Sequence, residues 1–385
     1  MGISLFTASW VTALLAFCAW VSVLLLGRNR MFRGTVVERA NIYCLETLPA
    51  NANRWMRVGI SDAFVQKAES VWIALFGRRN PVFQIFAIVL YFLGLTVFMT
   101  QAAPAIPNRY VGSWHWITIT LTLAVNMGSY AIACMVDPGY VDAANVDRAC
   151  SLFELDGLLY SKNTVCRTCH LRKPARSKHC SACGRCIQMM DHHCMWLNNC
   201  IGLNNARWFL AFLTSFSAVC VYGTYLFATV ILELRHVRGL THAMVQDEDT
   251  GEMVPLSFKT SILFLLDENV LLAVIMVLLL ILTPAIGIFT LYQLRIVSLG
   301  YTGNEEIKWL NVADDIKDEV LFVVNEGSEH EAYAIIEKED QQTDPRPKRL
   351  VTDLSQVANK YHRGVWENLR FVLFASSSGL KPHAD

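Results

Sequence analysis

The chain has 385 residues, is 54% hydrophobic and only 17% charged, and its 33 basic and 33 acidic residues cancel. That is too apolar and too sparsely charged for an ordinary soluble globule of this size, and zero net charge argues against a general nucleic-acid surface. Of its 12 cysteines five stand in Cys-x-x-Cys spacing, which in a large chain favours metal binding over the disulfide scaffolds of small secreted domains.

About 20 apolar residues cross a bilayer core as a helix. Five stretches reach that size: Leu5–Leu26, Val82–Met99, Trp114–Val136, Trp208–Leu232 and Val270–Tyr292, the last containing Pro284. The first opens Met1-Gly-Ile-Ser with no positive residue before its apolar run, so it reads as an uncleaved anchor with an outside N-terminus rather than a signal peptide. Position 6 is Phe where a myristoylation signal needs Ser or Thr.

The loops orient the bundle. Between Arg28 and Arg79 there are nine Arg or Lys against four acids, whereas the loop from Gln101 to Ser113 has only Arg109 and the loop from Arg235 to Lys259 holds the acidic run Asp247-Glu248-Asp249. By the positive-inside rule the Arg28–Arg79 stretch is cytosolic, and the segment between the third and fourth spans and the tail from Arg295 fall on the same side. Within the basic loop, Ala63–Phe76 is apolar in patches. It fits either a helix lying in the membrane interface or a soluble docking helix. No internal repeat is expected, Asp267-Glu268-Asn269 reads as a helix-boundary group, and the charged, Pro-containing stretch Glu337–Arg349 reads as a solvated linker.

The segment between the third and fourth spans carries the chemistry. It contains Cys166-x-x-Cys169, His179-Cys180-x-x-Cys183-x-x-Cys186, Asp191-His192-His193-Cys194 and Cys200, seven cysteines in one short stretch. Closed zinc sites use thiolates and imidazoles in sets of four, so two sites need eight ligands. Six cysteines and two histidines would fill them, leaving one cysteine and at least one histidine over. Spacing alone does not show which ligands share an ion. If Asp191–Cys194 is extended, His192 and Cys194 share one face and His193 the other. His193 then suits metal, and His192 suits the role of a base beside Cys194. On spacing alone Cys194 fits equally a nucleophile or a further ligand or idle thiol.

The segment Cys166–Phe209 closely resembles the cysteine-rich domain of the DHHC protein S-acyltransferases, in Lys173-Pro174-x-Arg176, Asp191-His192-His193-Cys194, Asn199-Cys200-Ile201-Gly202 and Asn204. Asp137-Pro138-Gly139 and Tyr361-x-x-Gly364-x-x-x-Asn368 match that family's flanking motifs. Thr302-Gly303-Asn304-Glu305 departs from its T-T-x-E motif by lacking the second Thr. The resemblance implies an all-α polytopic membrane protein with about five transmembrane helices and a cytosolic zinc-binding cysteine-rich domain between the third and fourth. The expected divisions are an extra N-terminal span (1–27), a cytosolic basic loop (28–80), a transmembrane hairpin ending in the DPG motif (81–139), the zinc domain (140–206), a second hairpin (207–293) and a cytosolic tail (294–385).

The resemblance also implies roles. Cys166, Cys169, His179 and Cys186 would hold one structural Zn2+, and Cys180, Cys183, His193 and Cys200 the other, with His170 unassigned. Cys194 would accept the acyl group, with His192 as base and Asp191 as its partner. Apart from the resemblance, Lys173, Arg176 and Arg172 fit either the phosphates of a long-chain acyl-CoA or a solvated basic face near anionic lipid, and Trp196 fits either an anchor at the membrane interface beside the bound substrate or a packing residue. The expected activity is S-palmitoylation of cytosol-facing cysteines on membrane-associated proteins, in the endoplasmic reticulum or Golgi, with room for an accessory subunit. A non-catalytic zinc adaptor would have no use for the complete Asp191–Cys194 set, and a RING-type ubiquitin ligase would need a further Cys-x-x-Cys pair.

Overall fold

The computed structural model describes residues 35–43, 47, 66–67, 70–71, 73–247, 250–325, 331–336, 348–375 and 379. The predicted first span, Leu5–Leu26, lies outside them, as do six of the fourteen residues of Ala63–Phe76 and most of the predicted linker. The elements in order are α1 (Val36–Ile42), α2 (Val82–Val97), α3 (His115–Met135), β1 (Tyr140–Val141), α4 (Val146–Ser151), β2 (Lys178–Cys180), β3 (Arg185–Ile187), β4 (His192–Cys194), β5 (Asn199–Ile201) and α5 (Ala206–Val237). They continue with β6 (Met244–Gln246), β7 (Met253–Pro255), α6 (Phe258–Glu268), α7 (Val270–Ser298), α8 (Gly303–Lys317), β8 (Leu321–Asn325), β9 (Glu331–Ile335), β10 (Lys348–Leu350) and α9 (Val365–Phe374).

Four helical stretches among the described residues are long and apolar enough to cross a membrane: Val82–Ala105, His115–Met135, Ala206–Val237 and Val270–Ser298. The first is α2 extended by a π-turn and a 3-10 turn. Their surfaces carry exposed Ile85, Phe86, Val89, Leu93, Leu121, Leu280 and Leu291, which suits hydrocarbon rather than water. The last helix runs through Pro284 without ending. Asp267-Glu268-Asn269 closes the short helix α6, where Asn269 is the C-cap and its side chain donates to Leu265 O at 2.8 Å.

The all-α expectation needs correction, because the parts outside these helices also contain short antiparallel strands. β1, β3 and β2 form one sheet, β4 and β5 a hairpin, and β10, β8 and β9 a sheet in the tail. The physical reason lies in the ligand residues. Directly opposed residues of an antiparallel pair project from the same face, and the registers set His179 opposite Cys186 and His193 opposite Cys200. A helix would not bring residues seven apart together in that way.

The chain forms two compact units. One comprises residues 1–69, 85–128 and 212–290, and the other 70–84, 129–211 and 291–385. In the first, Phe227, Val230, Ile231, Leu265 and Leu272 form a buried apolar cluster. Buried Asn126 donates to Ser215 Oγ at 3.1 Å, and the Ser217 and Thr290 hydroxyls pair at 2.9 Å. Polar side chains in such an environment need partners of this kind.

In the second unit a core of Leu152, Phe153, Tyr160, Leu210, Val297, Tyr361 and Val372 joins the cysteine-rich segment to the tail. Asp137 accepts from the Gly139 and Tyr140 amides at 2.7 and 2.9 Å. Asn199 caps the end of α3 by donating to Ala133, Cys134 and Val136 carbonyls at 3.2, 3.2 and 3.0 Å, carbonyls that a helix terminus leaves without intrahelical partners. Asn368 donates to Ser298 O at 2.8 Å and accepts from the Arg363 amide at 2.9 Å, which docks α9 against the end of α7.

Candidate active site

Two groups of four ligand residues converge. Cys166, Cys169, His179 and Cys186 form one and Cys180, Cys183, His193 and Cys200 the other, each with its ligand atoms within 4.8 Å of one another. In the first, His179 Nδ1 stands 3.6, 3.3 and 3.9 Å from the sulfurs of Cys166, Cys169 and Cys186. In the second, His193 Nδ1 stands 3.7, 3.4 and 3.4 Å from those of Cys180, Cys183 and Cys200. Ligand atoms around a tetrahedral zinc with ordinary Zn–S and Zn–N bonds lie about 3.5–3.8 Å apart. The donor sets therefore fit a metal ion in both chemistry and spacing.

The two groups are copies of one local design. The spacings from first to last ligand are 3, 10 and 7 residues in each, and the second is the first displaced by 14 positions along the chain. The turns match as well. The Cys169 and Cys183 amides donate to the Cys166 and Cys180 sulfurs, both at 3.4 Å. The residue after each second cysteine, His170 or Gly184, takes positive φ of 55° or 65°. His170 thus occupies the left-handed position of the turn, which explains why it is no ligand. This repeat was present in the spacing and is the signal that pairs the ligands.

β4 is extended, so alternate residues point to opposite faces. His193 turns to the second group, while His192 and Cys194 share the other face, where Cys194 raises the proton affinity of His192. Cys194 is buried and belongs to neither group. Asp191 precedes the strand. Its amide donates to Ile201 O at 2.9 Å, and its Oδ2 meets His192 Nδ1 at 2.7 Å. Met189, two residues before Asp191, takes positive φ of 46°. The Gly303 amide, from the start of α8, donates to the other Asp191 oxygen, Oδ1.

Burial works against charge on both partners. It would raise Asp191 and lower His192, but their mutual hydrogen bond and charge outweigh it. Asp191 stays below its ordinary value, helped by the Gly303 amide, and His192, which also contacts Cys194, is raised to about 10. The pair is therefore a carboxylate holding an imidazolium through the neutral range.

The predicted substrate-binding residues separate. Trp196 is 46% exposed, packs edge-on to Phe83 at 5.9 Å, and its carbonyl accepts from Tyr130 Oη at 2.9 Å. Lys173 is half-buried, with its backbone amide bonded to Thr164 O at 2.8 Å. It lies close enough to Lys308 that burial, followed by the Lys173 charge, brings Lys308 down to about 8.

Arg176 requires a correction. It is 4% exposed, and its Nε and Nη2 reach Glu305 Oε1 and Oε2 at 2.7 and 2.5 Å, with Gly300 O at 2.9 Å. Its guanidinium lies 4.7 Å from the Tyr361 ring centroid and 5.4 Å from that of Phe153. A planar cation so enclosed has no face left for phosphate. Arg176 and Glu305 stand 129 positions apart in the chain, so no local pattern pairs them.

A profile described as DHHC palmitoyltransferase matches residues 159–310. The chain is 27% identical over 367 residues to palmitoyltransferase swf1 of Schizosaccharomyces pombe, covering 92% of this chain and 93% of that protein. It is 38% identical over 149 residues to palmitoyltransferase ZDHHC4 of Bos taurus, covering 39% of this chain and 43% of that one. Against palmitoyltransferase SWF1 of Eremothecium gossypii it is 31% identical over 234 residues, covering 56% and 60%. The chain thus spans nearly all of the fission-yeast relative and less than half of the bovine one.

Proposed function

Because the chain belongs to the DHHC-type protein S-acyltransferases and is a protein S-palmitoyltransferase, we propose that Cys194 is its acyl carrier, with His192 moving the proton and Asp191 holding His192. One observation carries this assignment. Both four-ligand groups are complete without Cys194, which shares with His192 the opposite face of β4.

The proposed reaction has two balanced halves. The Cys194 thiolate, paired with the His192 imidazolium that already holds its proton, attacks the carbonyl carbon of a long-chain acyl-CoA thioester. The C–S bond to coenzyme A breaks, and the departing thiolate takes the proton back from His192. The now neutral His192 takes the proton of a substrate cysteine, whose sulfur attacks the Cys194 thioester, and Cys194 leaves as the thiolate paired again with the His192 imidazolium. One thioester replaces another at each step, so no other energy source is required. Asp191 Oδ2 fixes the His192 tautomer through Nδ1 and leaves Nε2 for the sulfur.

The residues that would hold two Zn2+ ions are Cys166, Cys169, His179 and Cys186, and Cys180, Cys183, His193 and Cys200. With all four positions of each site filled by protein, the ions would supply structure. Lys173, near Lys308 and Lys178, is the basic group we assign to the coenzyme A phosphates; Arg176 is withdrawn from that role. Trp196 stands at the membrane interface beside the acyl chain.

The proposed membrane arrangement has five spans, the four helices named above preceded by Leu5–Leu26. The divisions at 27, 80, 139, 206 and 293 separate spans from cytosolic segments. The basic Arg28–Arg79 stretch supports a cytosolic site. Residence in the endoplasmic reticulum or Golgi, and any accessory subunit, rest on the family resemblance. Burying a C16 chain at about 0.8 kcal/mol per methylene is worth on the order of 10 kcal/mol, which is reason for such an enzyme to take its donor from the bilayer. The test is labelling of purified protein by alkyne-tagged palmitoyl-CoA. A hydroxylamine-sensitive label on wild type that Cys194→Ser abolishes is the expected result, and an undiminished label on the variant would refute the assignment.

A further inference from the structure

Asp191 has two carboxylate oxygens and two separate partners. Oδ2 is taken by His192, and Oδ1 accepts the backbone amide of Gly303. Gly303 is the first residue of the 15-residue helix α8, after the N-cap Thr302. The first amides of a helix have no partner within it, and the helix dipole there favours a carboxylate. A Cβ built on Gly303 would stand 3.0 Å from Asp191 Oδ1, with Asp191 Cγ at 3.6 Å and Oδ2 at 3.7 Å. A side chain at position 303 would press on the carboxylate that the amide binds, which would have to give by a few tenths of an ångström.

The start of α8 is also held in place. The Thr302 hydroxyl accepts from the Glu305 amide at 3.2 Å, and Glu305 Oε2 accepts from the Thr302 amide at 2.9 Å, a capping box. Glu305 pairs with buried Arg176. Glu306 accepts from Tyr292 Oη and, at 3.2 Å, from Arg295 Nη1 at the end of α7. Three anchors therefore fix the first turn, which presents one amide to Asp191.

From this geometry we infer that Gly303 is a positioning residue for acyl transfer: its amide orients Asp191 toward His192, and its lack of a side chain leaves that carboxylate undisplaced. The inference rests on the Asp191–His192–Cys194 assignment above and adds to it the tail residue that sets the carboxylate. It also gives a physical meaning to the glycine that stands where the family's motif has its second threonine. Here the main chain supplies the donor, and a side chain would crowd the acceptor.

Two substitutions separate the amide from the space. Gly303→Pro removes the N–H at a helix position that accepts proline, and Thr302 at φ −104° and ψ 162° already has the extended conformation required before proline. Gly303→Ala keeps the N–H and adds the Cβ. Each is made in the full chain, alone and with Asp191→Ala. Acyl-enzyme formation from palmitoyl-CoA is timed, alongside zinc content and the thermal transition. Misplacing a catalytic group by a fraction of an ångström to 1 Å costs on the order of 10- to 100-fold, so each single variant is expected to slow acylation by about tenfold or more with both zinc ions retained.

In the Asp191→Ala background the same substitutions are expected to cost less than about twofold, because residues acting as a unit are not additive. Equal losses in both backgrounds, wild-type rates in both single variants, or zinc loss from both would overturn the inference. Slow Asp191→Ala with unimpaired Gly303 variants would sink this inference alone. A wild-type rate in Asp191→Ala would sink the Asp191 assignment itself.

Discussion

Arg176 and Glu305 meet as a two-point fork inside the second unit, Nε to Oε1 at 2.7 Å and Nη2 to Oε2 at 2.5 Å, with side chains only 4% and 1% exposed. Tyr160 Oη adds a third hydrogen bond to Glu305 at 3.1 Å. The pair ties the cysteine-rich segment to the first turn of α8, whose Gly303 amide meets Asp191.

Breaking one side of a buried, hydrogen-bonded pair leaves a charge without compensation and costs about 3–5 kcal/mol. Arg176→Ala and Glu305→Ala are each expected to lower stability by that order. Arg176→Lys is expected to recover little, because an ammonium cannot make the planar two-point contact. Thermal unfolding in detergent reads the effect. An Arg176→Ala protein as stable as wild type, with weakened acyl-CoA binding, would restore Arg176 to the phosphate role.

Metal content should follow the ligand groups. Cys183→Ser is expected to lower zinc from two ions per chain toward one, and Cys169→Ser to do the same through the other group, each with loss of acylation. Cys194→Ser is expected to keep both ions and lose only acylation. Elemental analysis of purified protein distinguishes these. Loss of one ion in Cys194→Ser would make Cys194 a ligand.

Gly202 stands where main chain crosses main chain. A Cβ there would lie 2.6 Å from Pro138 O and from Ile187 Cγ2, and 2.8 Å from Gln188 O. Backbone atoms cannot move aside as a flexible side-chain end can. Gly202→Ala is therefore expected to destabilise by about 1–3 kcal/mol, typical of overpacking, and to lower acylation in proportion to the folded fraction. A variant with an unchanged thermal transition would contradict this packing.

The pH dependence follows from His192. Burial lowers its affinity for a proton, but Asp191 and Cys194 raise it to about 10. A raised value means that the imidazolium persists above the ordinary range and is lost as pH climbs through about 10. Acylation that needs this proton at the departing thiolate should hold through neutral pH and fall on that alkaline limb. Asp191→Asn removes the charge that sustains the imidazolium, so its limb should move to lower pH by about one unit or more. Single-turnover acylation across pH measures both, and coincident limbs would contradict the pairing.

Some of this structure was legible in the sequence for clear physical reasons. Four of the five predicted spans correspond to long apolar helices because length and hydropathy are local properties; Leu5–Leu26 lies outside the described residues. The conditional reading of Asp191–Cys194 depended on an extended backbone, and β4 is a strand. The ligand repeat of 3, 10 and 7 residues was equally visible and went unread.

Other features depend on distant partners. Arg176 looks like a surface cation in a basic motif until Glu305 and the Tyr361 ring are placed around it. Gly303 looks like a lost threonine until its amide is seen against Asp191. The tail sheet of β8, β9 and β10 was missed because its short strands, such as Lys348–Leu350, give little alternation to read. Its partner Leu321–Asn325 is paired on both sides.

The most direct measurement is peptide mapping of the thioester formed when purified, zinc-loaded protein is mixed with palmitoyl-CoA and quenched in acid. The account requires the acyl group on Cys194, with the other six cysteines from Cys166 to Cys200 unmodified and two zinc ions present before quenching. An acyl group on one of those six cysteines, with Cys194 unmodified, would contradict it.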